Sequence, residues 1–208
     1  YLLTIDSMSA TRITNTQEII DYYKYCEVDY SIVWHLKNHM SMHYGYWEPE
    51  TKRLRDALHL MNQKLAEYAE ITPSDHVCDA GCGVGGSAVF LAKTFGCRVH
   101  GITLSENQVL TSRENASRQG VEHQVAFSQR NYLDTQFPSE TFDIVWAIES
   151  VCYAGDKEDF LAEAYRILKP GGRLAIADFF REKIEPRTED DILMRRWVKS
   201  WAIPDYAV

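Results

Sequence analysis

The run His76-Val-Cys-Asp-Ala-Gly-Cys-Gly-Val-Gly-Gly-Ser87 decides the fold of this chain. Val77 to Ala80 reads as a short apolar strand with Asp79 near its end. Gly81, Gly83, Gly85 and Gly86 then allow a tight turn and a close approach of the backbone to a ligand. A helical pattern follows directly, from Ser87 to Thr94. Strand, glycine turn and helix in succession aim unpaired amide groups at whatever fills the turn. The implied ligand is a nucleotide-like cofactor. A glycine-rich turn that holds nothing is the plainer alternative.

Outward from this run, strands and helices alternate. Arg98 to Ile102 reads as a second strand, and Ser105 to Gln119 as a helix opened by a capping serine. Val125 to Gln129 is a third strand. Phe142 to Ile148 is a fourth, apolar enough to be buried on both faces. A helix is expected over Lys157 to Leu168, a turn at Lys169-Pro-Gly-Gly172, a fifth strand over Arg173 to Phe179, and a helix over Asp190 to Trp201. This alternation predicts an α/β fold, a Rossmann-like parallel sheet wrapped by helices. Upstream, residues 1–72 read as a helical, aromatic-rich lid. One helix is expected to start after Asn15 or Thr16, and another to run from Thr51 to Glu70. Thr72-Pro-Ser-Asp75 closes the lid with turn chemistry. Residues 73–208 form the predicted core.

Bulk properties narrow the class. A length of 208 residues fits one domain with a helical annex. The net charge of -8 argues against non-specific nucleic-acid binding. No apolar run approaches the ~20 residues of a membrane span. Tyr1 to Ala10 lacks the basic start and apolar centre of a signal peptide. The five cysteines are odd in number and show no C-x-x-C spacing, so a reduced, cytoplasmic compartment is expected. The expected partner is a small molecule. Homo-oligomerisation is left open.

The glycine run fits two templates. Gly81, Gly83 and Gly86 satisfy the dinucleotide pattern G-x-G-x-x-G. From Asp79 to Gly85 the same stretch reads D-x-G-x-G-x-G. That form resembles motif I of the class I S-adenosylmethionine-dependent methyltransferases. Further stretches resemble the small-molecule branch of that family, which includes sterol, tocopherol and geranyl diphosphate methyltransferases, cyclopropane fatty acid synthases, and natural-product O- and N-methyltransferases. They are His43-Tyr-Gly-Tyr-Trp47, Gly101-Ile-Thr-Leu-Ser105 with Gln108, Asn131-Tyr-Leu-Asp134, Ala147-Ile-Glu-Ser150, and Arg166-Ile-Leu-Lys-Pro-Gly-Gly172. The resemblance covers residues 40–182, most of the chain.

The resemblance implies S-adenosylmethionine as cofactor. A carboxylate at a strand end repels a pyrophosphate but suits an ammonium. Asp79 is thus expected at the methionine ammonium. Ala80, Gly81, Gly83 and Gly85 are expected along the methionine and ribose. A generic ribose site wants an acid, for which Glu106 is the nearest candidate. The family pattern instead favours Thr103, Leu104 and Gln108. Asn131 and Tyr132 stand where the family meets adenine, and Ala147 and Ile148 where it walls the sulfur. A loop role is the alternative for Asn131. Tyr44 and Trp47 belong to the aromatic lid expected to fold over the cofactor, where aromatic faces attract cations.

Three residues are catalytic candidates: Glu149, His43 and Tyr153. Glu149 follows an apolar run, where a carboxylate is seldom placed without a partner. It is expected to face the sulfonium, the acceptor or a developing cation, with capping or ion pairing as the alternative. His43 is expected as a base for an acceptor hydroxyl or amine. His35, His39 and His43 are spaced four apart, but no H-E-x-x-H pattern is present and methyl transfer needs no metal, so no metal is expected.

The reaction implied is methyl transfer to a small molecule. Ile148-Glu-Ser-Val-Cys-Tyr153 looks most like the C-methylating members, which points to carbon of a prenyl-like, sterol-like or other apolar metabolite. Ala175-Ile-Ala-Asp-Phe179 looks more like O-methylating ones, so O- or N-methylation stays open. A nicotinamide oxidoreductase needs a ribose acid where this chain has Gly-Ile-Thr-Leu. A module that binds the cofactor without turnover is the other rival. Family members usually add two more strands beyond the point reached at Val208, and those C-terminal strands are expected to be missing.

Overall fold

A computed structural model gives the fold and describes residues 39–180 together with position 193. The expected helix near Asn15 lies outside the described residues, as do all positions but 193 of the one expected over Asp190–Trp201, and as do Tyr22, Tyr23, Tyr25, Tyr30, Trp34 and His35. The elements are α1 (Leu54–Tyr68), β1 (His76–Ala80), α2 (Gly86–Phe95), β2 (Arg98–Thr103), α3 (Glu106–Gln119), β3 (Val125–Gln129), β4 (Phe142–Ile148), α4 (Lys157–Ile167) and β5 (Leu168–Ala177). The five strands form one sheet in the order β3-β2-β1-β4-β5, and every pairing is parallel.

The apolar residues of β1 and β4 explain why these strands are central. Val77, Cys78, Ile144, Val145, Trp146 and Ala147 are all buried. Successive strand side chains leave opposite faces, and each face has a core. Val77, Ile144 and Trp146 pack with Leu91 and Ala92 of α2 on one side. Cys78, Val145 and Ala147 pack with Phe160, Ala164 and Ile167 of α4 on the other. Ala66 of α1, with Ala69 and Ile71 behind it, joins the first core.

Local chemistry sets the helix ends. Ser105 Oγ accepts the Gln108 N–H and Asp156 accepts the Glu158 N–H, so α3 and α4 start at side-chain caps. The N-terminal end of the sheet is tied by charge. Asp75 meets Arg173 at 2.9 Å. Asp143 accepts from His76 N and from Lys169, each at 2.9 Å.

One expectation is corrected. The turn at Lys169–Gly172 does not separate α4 from the last strand. α4 ends at Ile167 and β5 begins at once with Leu168. Phe142 pairs with Leu168 and Ile144 with Arg173, so Asp143 alone faces the whole Lys169–Gly172 stretch. The turn chemistry is spent on a bulge inside the strand, and the Lys169–Asp143 ion pair clasps it to β4. The strand also stops at Ala177 rather than Phe179, because Asp178 turns to accept the N–H groups of Cys152 and Phe179. No helix among the described residues is long and apolar enough to cross a membrane.

Candidate active site

In an open parallel sheet a ligand site forms beyond the carboxyl ends of the strands, where the strand order reverses. Here that point lies between β1 and β4. A cavity opens there. Its wall includes Asp79 of β1 with Gly81 and Gly83 of the turn that follows, Thr103 at the end of β2 with Leu104 and Gln108 beyond it, Tyr132 after β3, and Ile148 at the end of β4 with Glu149 and Tyr153 beyond it. His43 reaches the same cavity from the chain before α1.

The glycine turn is pinned from beneath. The N–H groups of Gly81 and Cys82 both donate to the Ile102 carbonyl at 2.9 Å. Gly81 has φ +82°, and a Cβ on it would fall 2.4 Å from Ser150 Cβ. Only glycine satisfies both demands. Ser150 Oγ in turn donates to the Ala80 carbonyl at 2.7 Å, and its own carbonyl accepts from Tyr132 Oη at 2.9 Å. The ends of β1, β3 and β4 are thereby locked together around the cavity.

Asp79 is 2 % exposed. Among the described residues its Oδ2 has no partner. Burial pushes its carboxyl up to about 7, and the backbone N–H of Ala88 in α2 opposes this only in part. An unpartnered carboxylate oxygen on a cavity wall is an open position for a cationic donor. At the end of β2, Thr103 Oγ1 donates to Gln108 Oε1 at 2.5 Å. Gln129 Nε2 donates to the Leu104 carbonyl at 2.8 Å.

Glu149 sits one residue past β4 with φ +46°. That conformation is strained for a side chain with a Cβ, and such strain concentrates at functional sites. Its N–H donates to the Ala177 carbonyl at 2.7 Å, which holds the backbone there. Its Oε1 accepts the Tyr44 N–H at 2.9 Å. Burial pushes the carboxyl up to about 7; the Tyr44 bond lowers it and the Asp178 charge raises it. His43 is 4 % exposed, and burial lowers its ring to about 4. Asn62 Nδ2 lies 3.4 Å from its Nε2.

Six of the expected contact residues do not line this cavity: Tyr44, Trp47, Ala80, Gly85, Asn131 and Ala147. Ala80 and Ala147 lie in the core beneath it. Gly85 backs onto Ser112 and Phe127. Asn131 Oδ1 accepts the Leu133 N–H, the loop role weighed as its alternative. Trp47 is 52 % exposed and donates from Nε1 to the Tyr44 carbonyl. Tyr44 reaches the site through its backbone, while its ring meets the edge of Phe179. Glu106 does not line the cavity either. Met40, Met42, Cys82, Arg130 and Ser150 do, unforeseen. Cys82 and Ser150 stand inside quoted motifs and Arg130 beside one; the two methionines carried no such signal.

Residues 78–176 match the family model described as a methyltransferase domain. The chain carries a class I methyltransferase domain. A 27-O-demethylrifamycin SV methyltransferase of Amycolatopsis mediterranei (strain S699) is 34 % identical over 139 residues, 67 % of this chain and 51 % of that protein. The geranyl diphosphate C-methyltransferase of Streptomyces coelicolor A3(2), solved with Mg2+, geranyl diphosphate and S-adenosyl-L-homocysteine, superposes with TM-score 0.70 and 26 % identity, over 92 % of this chain and 74 % of that one. The [4+2]-cyclase SpnF superposes with TM-score 0.76 and 25 % identity, over 85 % and 64 %. The methyltransferase fold alone therefore does not name a reaction. The chain spans about half the length of the curated relatives it matches.

Proposed function

We propose that the protein is an S-adenosylmethionine-dependent methyltransferase whose acceptor is carbon of a prenyl-like, sterol-like or other apolar metabolite. The observation that carries this reading is the open Oδ2 of buried Asp79, set at the glycine turn in the same cavity as Glu149. The residues present fit the cofactor. Asp79 would hold its ammonium. The glycine turn leaves room for its methionine part. Thr103, Leu104 and Gln108 would meet the ribose, Tyr132 the base, and Ile148 the sulfur. When bound, S-adenosylmethionine supplies a methyl group already activated on a sulfonium.

The chain's residues then have two tasks. The first is alignment, which supplies about 7–11 kcal/mol in favourable cases. The second is proton removal, which falls to Glu149. A carboxylate poised near neutrality is a competent base. With an alkene acceptor it faces the developing cation and afterwards takes a proton. The likeness to the geranyl diphosphate enzyme supports carbon, and the likeness to the rifamycin enzyme keeps oxygen as the alternative. Cys78, Cys82, Cys97 and Cys152 are free and buried, which suits a reducing cytoplasm.

Calorimetric titration with S-adenosylhomocysteine, beside Asp79→Ala, tests the cofactor. Micromolar binding lost in the variant is the expected result. A folded parent that binds nothing sinks the proposal. A screen of geranyl diphosphate, sterols and phenolic or sugar hydroxyls, read as S-adenosylhomocysteine release, then separates carbon from oxygen acceptors.

A further inference from the structure

The segment Met40–His43 lies across the glycine turn. The Met40 carbonyl stands 2.0 Å from where a Cβ on Gly86 would fall, and Met42 Cε 3.1 Å from one on Gly83. His43 ends this segment on the cavity wall. Behind it stands Asn62 of α1, 3 % exposed. Asn62 Nδ2 donates to the Leu58 carbonyl at 3.0 Å. That bond fixes the amide, because turned over it would set Oδ1 against a carbonyl oxygen. The nitrogen facing His43 Nε2 therefore has only hydrogens to offer, and Nε2 must accept. A neutral imidazole that accepts at Nε2 carries its proton on Nδ1. Burial keeps the ring neutral. Nδ1 itself has no partner among the described residues.

We infer that Asn62 fixes His43 as an Nδ1–H donor toward the bound cofactor, and that the acceptor is the carboxylate of the cofactor's amino-acid end. This rests on the cofactor proposed above. An N–H cannot serve an ammonium or a sulfonium. Asp79 takes the ammonium half of the zwitterion, which leaves the carboxylate in need of donors. The ribose and base go to the far ends of β2 and β3. The segment that bears His43 lies on the glycines, where the amino-acid end belongs. His43 is then a binding group, not the base expected from the sequence. Asn62 is a positioning residue that acts through it.

Nitrogen-15 spectra of the ligand-free full chain read the tautomer directly. The expected state is Nδ1–H with a bare Nε2. Asn62→Leu, similar in bulk, should release the preference so that the Nε2–H form appears. Calorimetry then compares S-adenosylhomocysteine with its decarboxylated counterpart, S-adenosyl-3-thiopropylamine, which keeps the ammonium. His43→Leu should weaken the first about tenfold and the second less than about twofold. His43→Asn, whose amide nitrogen falls near the place of Nδ1, should restore most of the loss. An Nε2–H form in the parent overturns the tautomer assignment. Equal losses for both ligands overturn the carboxylate assignment. A folded parent that binds neither ligand overturns the cofactor reading as well, while the spectra still decide what Asn62 does.

Discussion

The backbone N–H of Tyr44 donates to Glu149 Oε1 over 2.9 Å, although the two residues are 105 positions apart in the chain. The bond spends one carboxylate oxygen on the segment that crosses the cavity. It also fixes the side chain whose backbone is strained. If Glu149 is the base proposed above, it is aligned before any ligand arrives.

Replacing that base tests it. Glu149→Gln keeps the Tyr44 bond but cannot take a proton. The expected result is a fall in kcat of about 100- to 10,000-fold with S-adenosylhomocysteine affinity within about threefold. In the parent the carboxylate must be ionised to act. Its carboxyl lies near 7, so the rate should rise with pH through about 7. A pH–rate profile of the variant should lack that limb. An unchanged profile would assign the proton transfer elsewhere.

Asp79 should set stability against binding. Its carboxyl is raised from 3.8 to about 7 in the folded chain. The native state thus keeps a proton that the unfolded chain has lost. Its contribution is most favourable below about pH 4 and declines as the pH rises to about 7. At pH 8 the ligand-free protein carries a buried, incompletely paired charge. Asp79→Asn removes that charge, so Tm at pH 8 should rise by roughly 5 °C while S-adenosylhomocysteine affinity falls at least about tenfold. Scanning calorimetry at pH 5 and pH 8 checks the sign, since the gain should shrink at the lower pH.

Two glycines with the same backbone twist should respond differently to alanine. Gly81 has φ +82° and no room beside Ser150, whereas Gly120 has φ +72° and nothing within 4 Å. Gly81→Ala should cost about 3 kcal/mol or more and abolish ligand binding. Gly120→Ala should cost only about 1 kcal/mol and leave binding intact. Denaturant titration with a binding assay separates strain alone from strain plus collision.

A third carboxylate has the opposite sign. Glu163 is 9 % exposed, and its Oε1 accepts from Thr135 N, Thr135 Oγ1 and Arg166. Burial pushes its carboxyl up, but the bonds from Arg166 and Thr135 outweigh it and bring it below the ordinary value. This contribution is present above about pH 4.5 and is lost as the pH falls through the lowered value. Glu163→Gln should destabilise the protein at pH 7 by about 1–3 kcal/mol, and the difference should narrow in acid. Equal losses at pH 3 and pH 7 would contradict it.

The sheet was legible in the sequence because its signals are local. Apolar runs, glycine turns and caps such as Ser105 act within a few residues, and β3 and β4 fall on the residues expected. The Lys169–Gly172 stretch was misread because a turn and a bulge use the same residues. Only the register against Asp143 tells them apart. The cavity lining was legible where it adjoins strand ends, as at Asp79, Thr103 and Glu149. It was not legible where it depends on meetings across the chain. Asn62 looks like any polar residue of an amphipathic helix, and nothing local says that it stands behind His43. Trp47 sat in an aromatic cluster that promised a lid, but its indole N–H is satisfied by the Tyr44 carbonyl and its ring faces solvent.

Asp79 pairs across the sheet with Trp146, and Glu149 follows three residues later. The separation between the proposed cofactor anchor and the proposed base is thus a length measured along a hydrogen-bonded ladder. Loops that line the acceptor side can lengthen, shorten or change their chemistry without altering that spacing. On the proposed reading, one rigid ruler in the middle of the sheet lets the methyl donor's geometry persist while the acceptor is exchanged for another.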